Sequence, residues 1–99
     1  LHYIGGLLYT EVSVPAAFKN MKIAGTRLKM GDKGISYWTL HVEEDIRHGQ
    51  WMLNDVALPL IEKYSEQALD IVHGYDQQKF ISARSTSAIV ESIRKFEFL

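Results

Sequence analysis

Three side chains able to bind a transition metal recur at helical spacing: His41, Asp45 and His48 form an H-x-x-x-D-x-x-H run. No proline or glycine interrupts the chain from Ile35 to His48, so the run belongs on a helix. Offsets of four and seven residues stack the three groups within roughly 60° of arc. Two imidazoles and a carboxylate converging in this way form a coordination comb for a first-row metal. The same groups also suit a hydrogen-bonded network in which Asp45 fixes an imidazole tautomer, or a solvated helix face. A charged Asp45 buried between histidines is costly unless a cation or hydrogen bonds offset it.

Positioning these groups falls to a helix expected from about Ile35 to Val56. On it, Trp38, Val42, Ile46, Leu53 and Val56 share an apolar stripe, with Thr39, Glu43, Arg47, Gln50 and Asn54 on one polar flank. His41, Asp45 and His48 lie on the other shoulder of the stripe, bordered by Tyr37 and Trp38. Upstream, Tyr3–Val12 is read as a helix despite Gly5 and Gly6. Ser13 is expected to cap a second helix, with Pro15 in its first turn, running to about Met30. Gly31-Asp32-Lys33-Gly34 has the composition of a loop. Downstream, Pro59 marks a break or offset, with Leu58–Tyr64 a short continuing helix. Ser65 is expected to cap a last helix, from Glu66 to about Phe96, which Gly74 interrupts. Its residues Leu69, Val72, Phe80, Ala83 and Val90 share one apolar arc. Sustained period-2 alternation is absent, and the expected class is all-α.

A second carboxylate strengthens the metal reading. Glu11 stands among Leu7, Leu8, Val12 and Val14, where a buried acid needs a partner. A lone Glu in such a segment is ordinarily an interface or snorkelling residue; beside the histidine helix it becomes a natural fourth ligand. Two His and two carboxylates without a thiolate favour iron or manganese over structural zinc.

The stretch from Tyr37 to Gly49, YWTLHVEEDIRHG, resembles the C-terminal metal helix of haem-oxygenase-like di-iron oxidases, also catalogued as iron-containing redox enzymes. The resemblance implies that His41, Asp45 and His48 are ligands and that Glu11 matches the family's bridging Glu from an earlier helix. It implies a haem-oxygenase-like helical bundle, two iron ions in the complete domain (manganese as an alternative), and O₂-dependent oxidation of a small organic substrate. N-oxygenation, desaturation and C–C cleavage all belong to that class. The family also carries a Glu-x-x-x-x-x-x-His pair nearer the N-terminus, and no such pair precedes Glu11 here. Residues 1–99 are therefore expected to be a single helical domain or fragment, the C-terminal half of the usual bundle, holding four of about six ligands. Missing N-terminal helices or a partner chain would supply the rest, and a homodimer is expected.

The rest of the sequence sets bounds. Ninety-nine residues with a net charge of −1 and no cysteine exclude disulfides and thiolate metal sites. Nothing in that charge balance suggests a nucleic-acid footprint or an anionic-membrane surface. No apolar run spans a bilayer, Leu1-His2-Tyr3 lacks a basic leader region, and the expected compartment is the cytoplasm. His2 and His73 are not placed to join the site, and Glu44 is expected outside the ligand set. Tyr37, Trp38 and Trp51 are read as packing residues that could also shield a metal or carry a radical. Lys19, Lys22, Arg27, Lys29 and Lys33 form a basic bias that a solvated face explains, and that could also dock an anionic substrate group. Two further functions stay open: a non-metal, thiaminase-like or cofactor-biosynthesis enzyme using His and Asp in acid–base chemistry, and a helical interaction module with a structural His/Asp network.

Overall fold

A computed structural model describes residues 1–96, and these form helices joined by short turns, with no strand among them. Helix α1 spans His2–Arg27, α2 spans Gly31–Trp51, α3 spans Leu58–Lys63 and α4 spans Ala68–Lys95. A π-helical segment, Met52–Ala57, joins α2 to α3, and a single 3₁₀ turn, Ser65–Gln67, leads into α4. The all-α expectation holds.

Several boundaries differ from expectation, each for a physical reason. The first two expected helices are one: α1 runs straight through Pro15. Ser13 does not cap; its hydroxyl donates to the Thr10 carbonyl at 3.3 Å, within the helix. A mid-helix proline costs about 3 kcal/mol, but α1 is the central helix, flanked by α2 on one side and α4 on the other. Packing on both sides outweighs a local penalty of that size. The loop expected at Gly31–Gly34 is already the first turn of α2. The reversal is shorter, with Lys29 in the left-handed region at φ 59° and Gly31 at φ 78°.

Pro59 marks an offset, as expected. It sits in the first turn of α3, directly after the π segment, where the Leu58 amide donates to the Leu53 carbonyl five residues back. Gly74 does not interrupt α4. Instead a Cβ there would land on the His2 carbonyl oxygen, and one on Gly5 would land on the Ile71 carbonyl oxygen. These two glycines let the α1 and α4 backbones touch, and no other residue fits at either place.

The molecule is a slab, 49 × 32 × 15 Å. A helix with its side chains is about 10–12 Å across, so the short dimension holds one layer of helices. Accordingly the buried residues are Leu8, Ala57 and Ile71, four glycines (Gly5, Gly25, Gly49, Gly74) and Asp45. The expected apolar stripe of α2 is not a core: Ile46 and Leu53 are exposed, and Trp38, Val42 and Val56 are half-buried. On α4 the arc of Leu69, Val72, Phe80, Ala83 and Val90 is likewise exposed, because α4 meets α1 through Ile71 and Gly74.

Candidate metal centre

Helices α1 and α2 are antiparallel, pairing Gly25 with Ile35 near the turn and Glu11 with Gly49 farther along. Two residues make the second approach close. Pro15 has no N–H to bond the Glu11 carbonyl one turn back, and Gly49 packs against that carbonyl, with a hypothetical Cβ 3.5 Å from its oxygen. Glu11 is thereby brought level with His48, the residue preceding Gly49.

Asp45 is the centre of the arrangement. It is 7% exposed, the only charged side chain buried among the described residues. Its Oδ1 lies 3.0 Å from His48 Nδ1, and its Oδ2 lies 3.4 Å from His41 Nδ1. Glu11 Oε2 lies 3.7 Å from the same His48 nitrogen. Glu11, Asp45 and His48 each offer a ligand atom, all within 4.8 Å of one another. His41 stands outside that tightest set and joins it through Asp45. The four residues singled out in the sequence thus converge, three of them closely.

The donor set fits a metal ion. Donors about 2.1 Å from a shared octahedral ion lie about 3 Å apart when adjacent and about 4.2 Å apart when opposite. The separations of 3.0 and 3.7 Å fall within that range. Two carboxylates and two imidazoles, with no thiolate, are oxygen and nitrogen donors suited to iron or manganese.

Aromatic rings wall the histidines. Tyr37 lies 4.3 Å from the His41 ring, and Phe18 of α1 meets that ring edge-on at 5.7 Å. Trp51 flanks His48 at 5.8 Å, with the Arg47 guanidinium over its outer face. Tyr37 and Trp51 are both exposed, so they shield the histidines rather than fill a core. Glu44 accepts from Arg47 at 2.9 Å, apart from the cluster. His2 pairs with Gln77 and His73 is exposed, so neither joins the site. Sequence reasoning missed Phe18, although it lies seven residues beyond Glu11 and therefore on the same face of α1. It also missed Gly49, whose position beside His48 is the usual mark of a close backbone approach.

A cavity of about 260 Å³ opens over the two carboxylates. Glu11 and Asp45 line it together with Val12, Pro15, Ile46, Gly49, Gln50 and Leu53. A small molecule entering there meets oxygen donors set in an apolar wall.

A one-layer helical slab carrying two carboxylates and two imidazoles on facing helices presents the donor types that carboxylate–histidine metal sites of helical bundles use. The family described as iron-containing redox enzymes matches residues 1–78, a span that takes in Glu11, His41, Asp45 and His48. The chain belongs to that family. No curated protein and no solved structure matches it. None of the described helices is long and apolar enough to cross a membrane.

Proposed function

We propose that this chain is part of an iron-dependent oxidoreductase and that Glu11, His41, Asp45 and His48 hold its metal. One observation carries the reading: inside the family match, the one buried carboxylate points one oxygen at each of two histidines, with a second carboxylate alongside. Bound iron would supply activation of O₂ for oxidation of a small organic substrate, by N-oxygenation, desaturation or C–C cleavage. Manganese is the alternative ion.

The chain's own residues do the rest. Asp45 accepts a hydrogen bond from His48 Nδ1 and lies beside His41 Nδ1, and so orients both rings until a metal ion displaces the shared proton. Phe18 and Tyr37 keep water from one flank of His41, and Trp51 does the same beside His48. The groove over Glu11 and Asp45 leaves a path for small reactants. A slab 15 Å thick that leaves Ile46, Leu53, Phe80 and Ile89 exposed calls for a second layer of helices. In this reading the layer comes from further sequence or from a second copy, and it brings the remaining ligands of a two-ion centre.

A second reading rests on the 3.0 Å contact between His48 and Asp45, which is a complete hydrogen bond without any ion. On that reading the cluster is a structural or acid–base network. Elemental analysis after anaerobic loading with Fe(II) separates the two. Stoichiometric iron, lost in D45N and H48A, supports the metal centre. An iron-free protein with its helical content intact leaves the network.

A further inference from the structure

A cavity of about 520 Å³ lies farther along the α1–α2 face, away from the carboxylates. Lys19, Lys22, Ile23, Thr26 and Arg27 of α1 line it with Val42 of α2. No carboxylate lines it, and neither lysine nor the arginine makes an ion pair among the described residues. Asp32 and Glu43 share an adjoining cavity with Lys22, outside this lining. The Thr26 hydroxyl proton is already donated to the Lys22 carbonyl at 2.9 Å. The donors left to greet a ligand are therefore cationic, and the rest of the floor is apolar.

This cavity and the one over the carboxylates lie along one seam between α1 and α2. Val12, Pro15, Lys19 and Ile23 follow one another at steps of three and four residues, which places them on a single ridge of α1. Val42 and Ile46 stand one turn apart on α2 and face the same groove. At 1.5 Å per residue, Lys19 lies about 12 Å beyond Glu11 along the helix, and Lys22 about 17 Å. Three cations exceed what one carboxylate needs. A phosphate ester, with up to two charges and three acceptor oxygens, matches them.

We propose that this groove binds a phosphate-headed amphipath, its head on Lys19, Lys22 and Arg27 around Ile23 and its chain along Val42 and Ile46. An extended hydrocarbon gains roughly 1.3 Å per carbon, so about ten to twelve carbons reach from the cations to the carboxylates. Binding stands on the groove alone. That the far end of the chain is the part oxidised rests on the iron reading above.

Calorimetry with monomeric decyl phosphate tests this on the chain before and after anaerobic Fe(II) loading. Decyl phosphate should bind at least tenfold more tightly than decanol, decanoate or inorganic phosphate. The K19Q/K22Q double variant should weaken it at least tenfold, and so should R27Q, on the scale of charge-assisted hydrogen bonds. Lys19 and Arg27 are exposed and Lys22 is half-buried with no ion-pair partner among the described residues, so circular dichroism should show both variants folded. Equal binding of decanol, equal binding of decanoate, or full affinity in the double variant would each overturn the proposal. So would sedimentation with phosphatidylglycerol vesicles in the absence of any binding to monomeric decyl phosphate. Iron is measured on the same samples. Iron without amphipath binding sinks this inference alone, and amphipath binding in a protein that takes no iron leaves the groove and removes the metal centre.

Discussion

Replacing Asp45 by asparagine nearly keeps the side chain's volume and removes its charge, and the response to Fe(II) then separates the two readings of the cluster. The carboxylate offers one oxygen to each imidazole, at 3.0 and 3.4 Å. An asparagine keeps one acceptor and turns an amide N–H₂ toward the other ring. That ring must change tautomer to accept from the amide, and loss of the charged acceptor costs about 1–3 kcal/mol. In a domain of this size 1 kcal/mol shifts Tm by roughly 4–8 °C, so metal-free D45N should melt about 5–20 °C below wild type. Fe(II) adds a second, independent shift. At a free concentration of about 100 Kd it stabilises a binding-competent fold by about 2.7 kcal/mol, or some 10–20 °C on the same scale. Wild type should gain that increment and D45N should not. Anaerobic thermal melts followed by circular dichroism, with and without Fe(II), read both shifts in one experiment. An equal iron-induced rise in the two proteins would refute the assignment of Asp45 as a ligand, whatever its effect on the metal-free fold.

Two more outcomes follow from named contacts. Gly74→Ala drives a methyl onto the backbone oxygen of His2, where no flexible side chain can yield; the α1–α4 contact should open and cost roughly 2–4 kcal/mol, seen as an early melt with helical content retained. Glu11→Gln alters a side chain that is 30% exposed and reaches only the His48 ring. It should lower iron affinity about 10–100-fold while moving metal-free stability by less than about 1 kcal/mol, and unchanged iron affinity in a competition titration would strike Glu11 from the ligand set.

The convergence of the candidate residues was legible because its signal is local. His41, Asp45 and His48 lie within eight residues of helix, so their convergence needs only the helical period. Glu11 required knowledge of which helix packs on which, and the family resemblance supplied it. The fold was legible in class and less so in detail, and two boundary errors arose where tertiary contact overrode a local signal. Pro15 reads as a helix start, yet two flanking helices hold α1 continuous across it. Gly74 reads as a break, yet it is the point where two backbones meet. The misjudged core has another cause. Apolar periodicity marks the faces of α2 and α4 that want cover, whereas this single layer buries the faces with the smallest side chains, so Gly49 and Gly74 are inside while Ile46 and Phe80 are out.

The π segment has a meaning in terms of insertion and deletion. From Asp45 to Ala57 is twelve residues, which on an unbroken α-helix would set them about 120° apart. Both are nevertheless buried, Asp45 toward Glu11 and Ala57 at 1% exposure. Counting the widened turn as one residue too many leaves eleven, and eleven residues bring the two within about 20°. Met52–Ala57 thus absorbs a supernumerary residue without rotating the Asp45 side upstream against the packed side downstream. A sequence with one residue fewer in this segment would present the same two faces from an ordinary α-helix. Single-residue length variation has one place here where it leaves the site untouched.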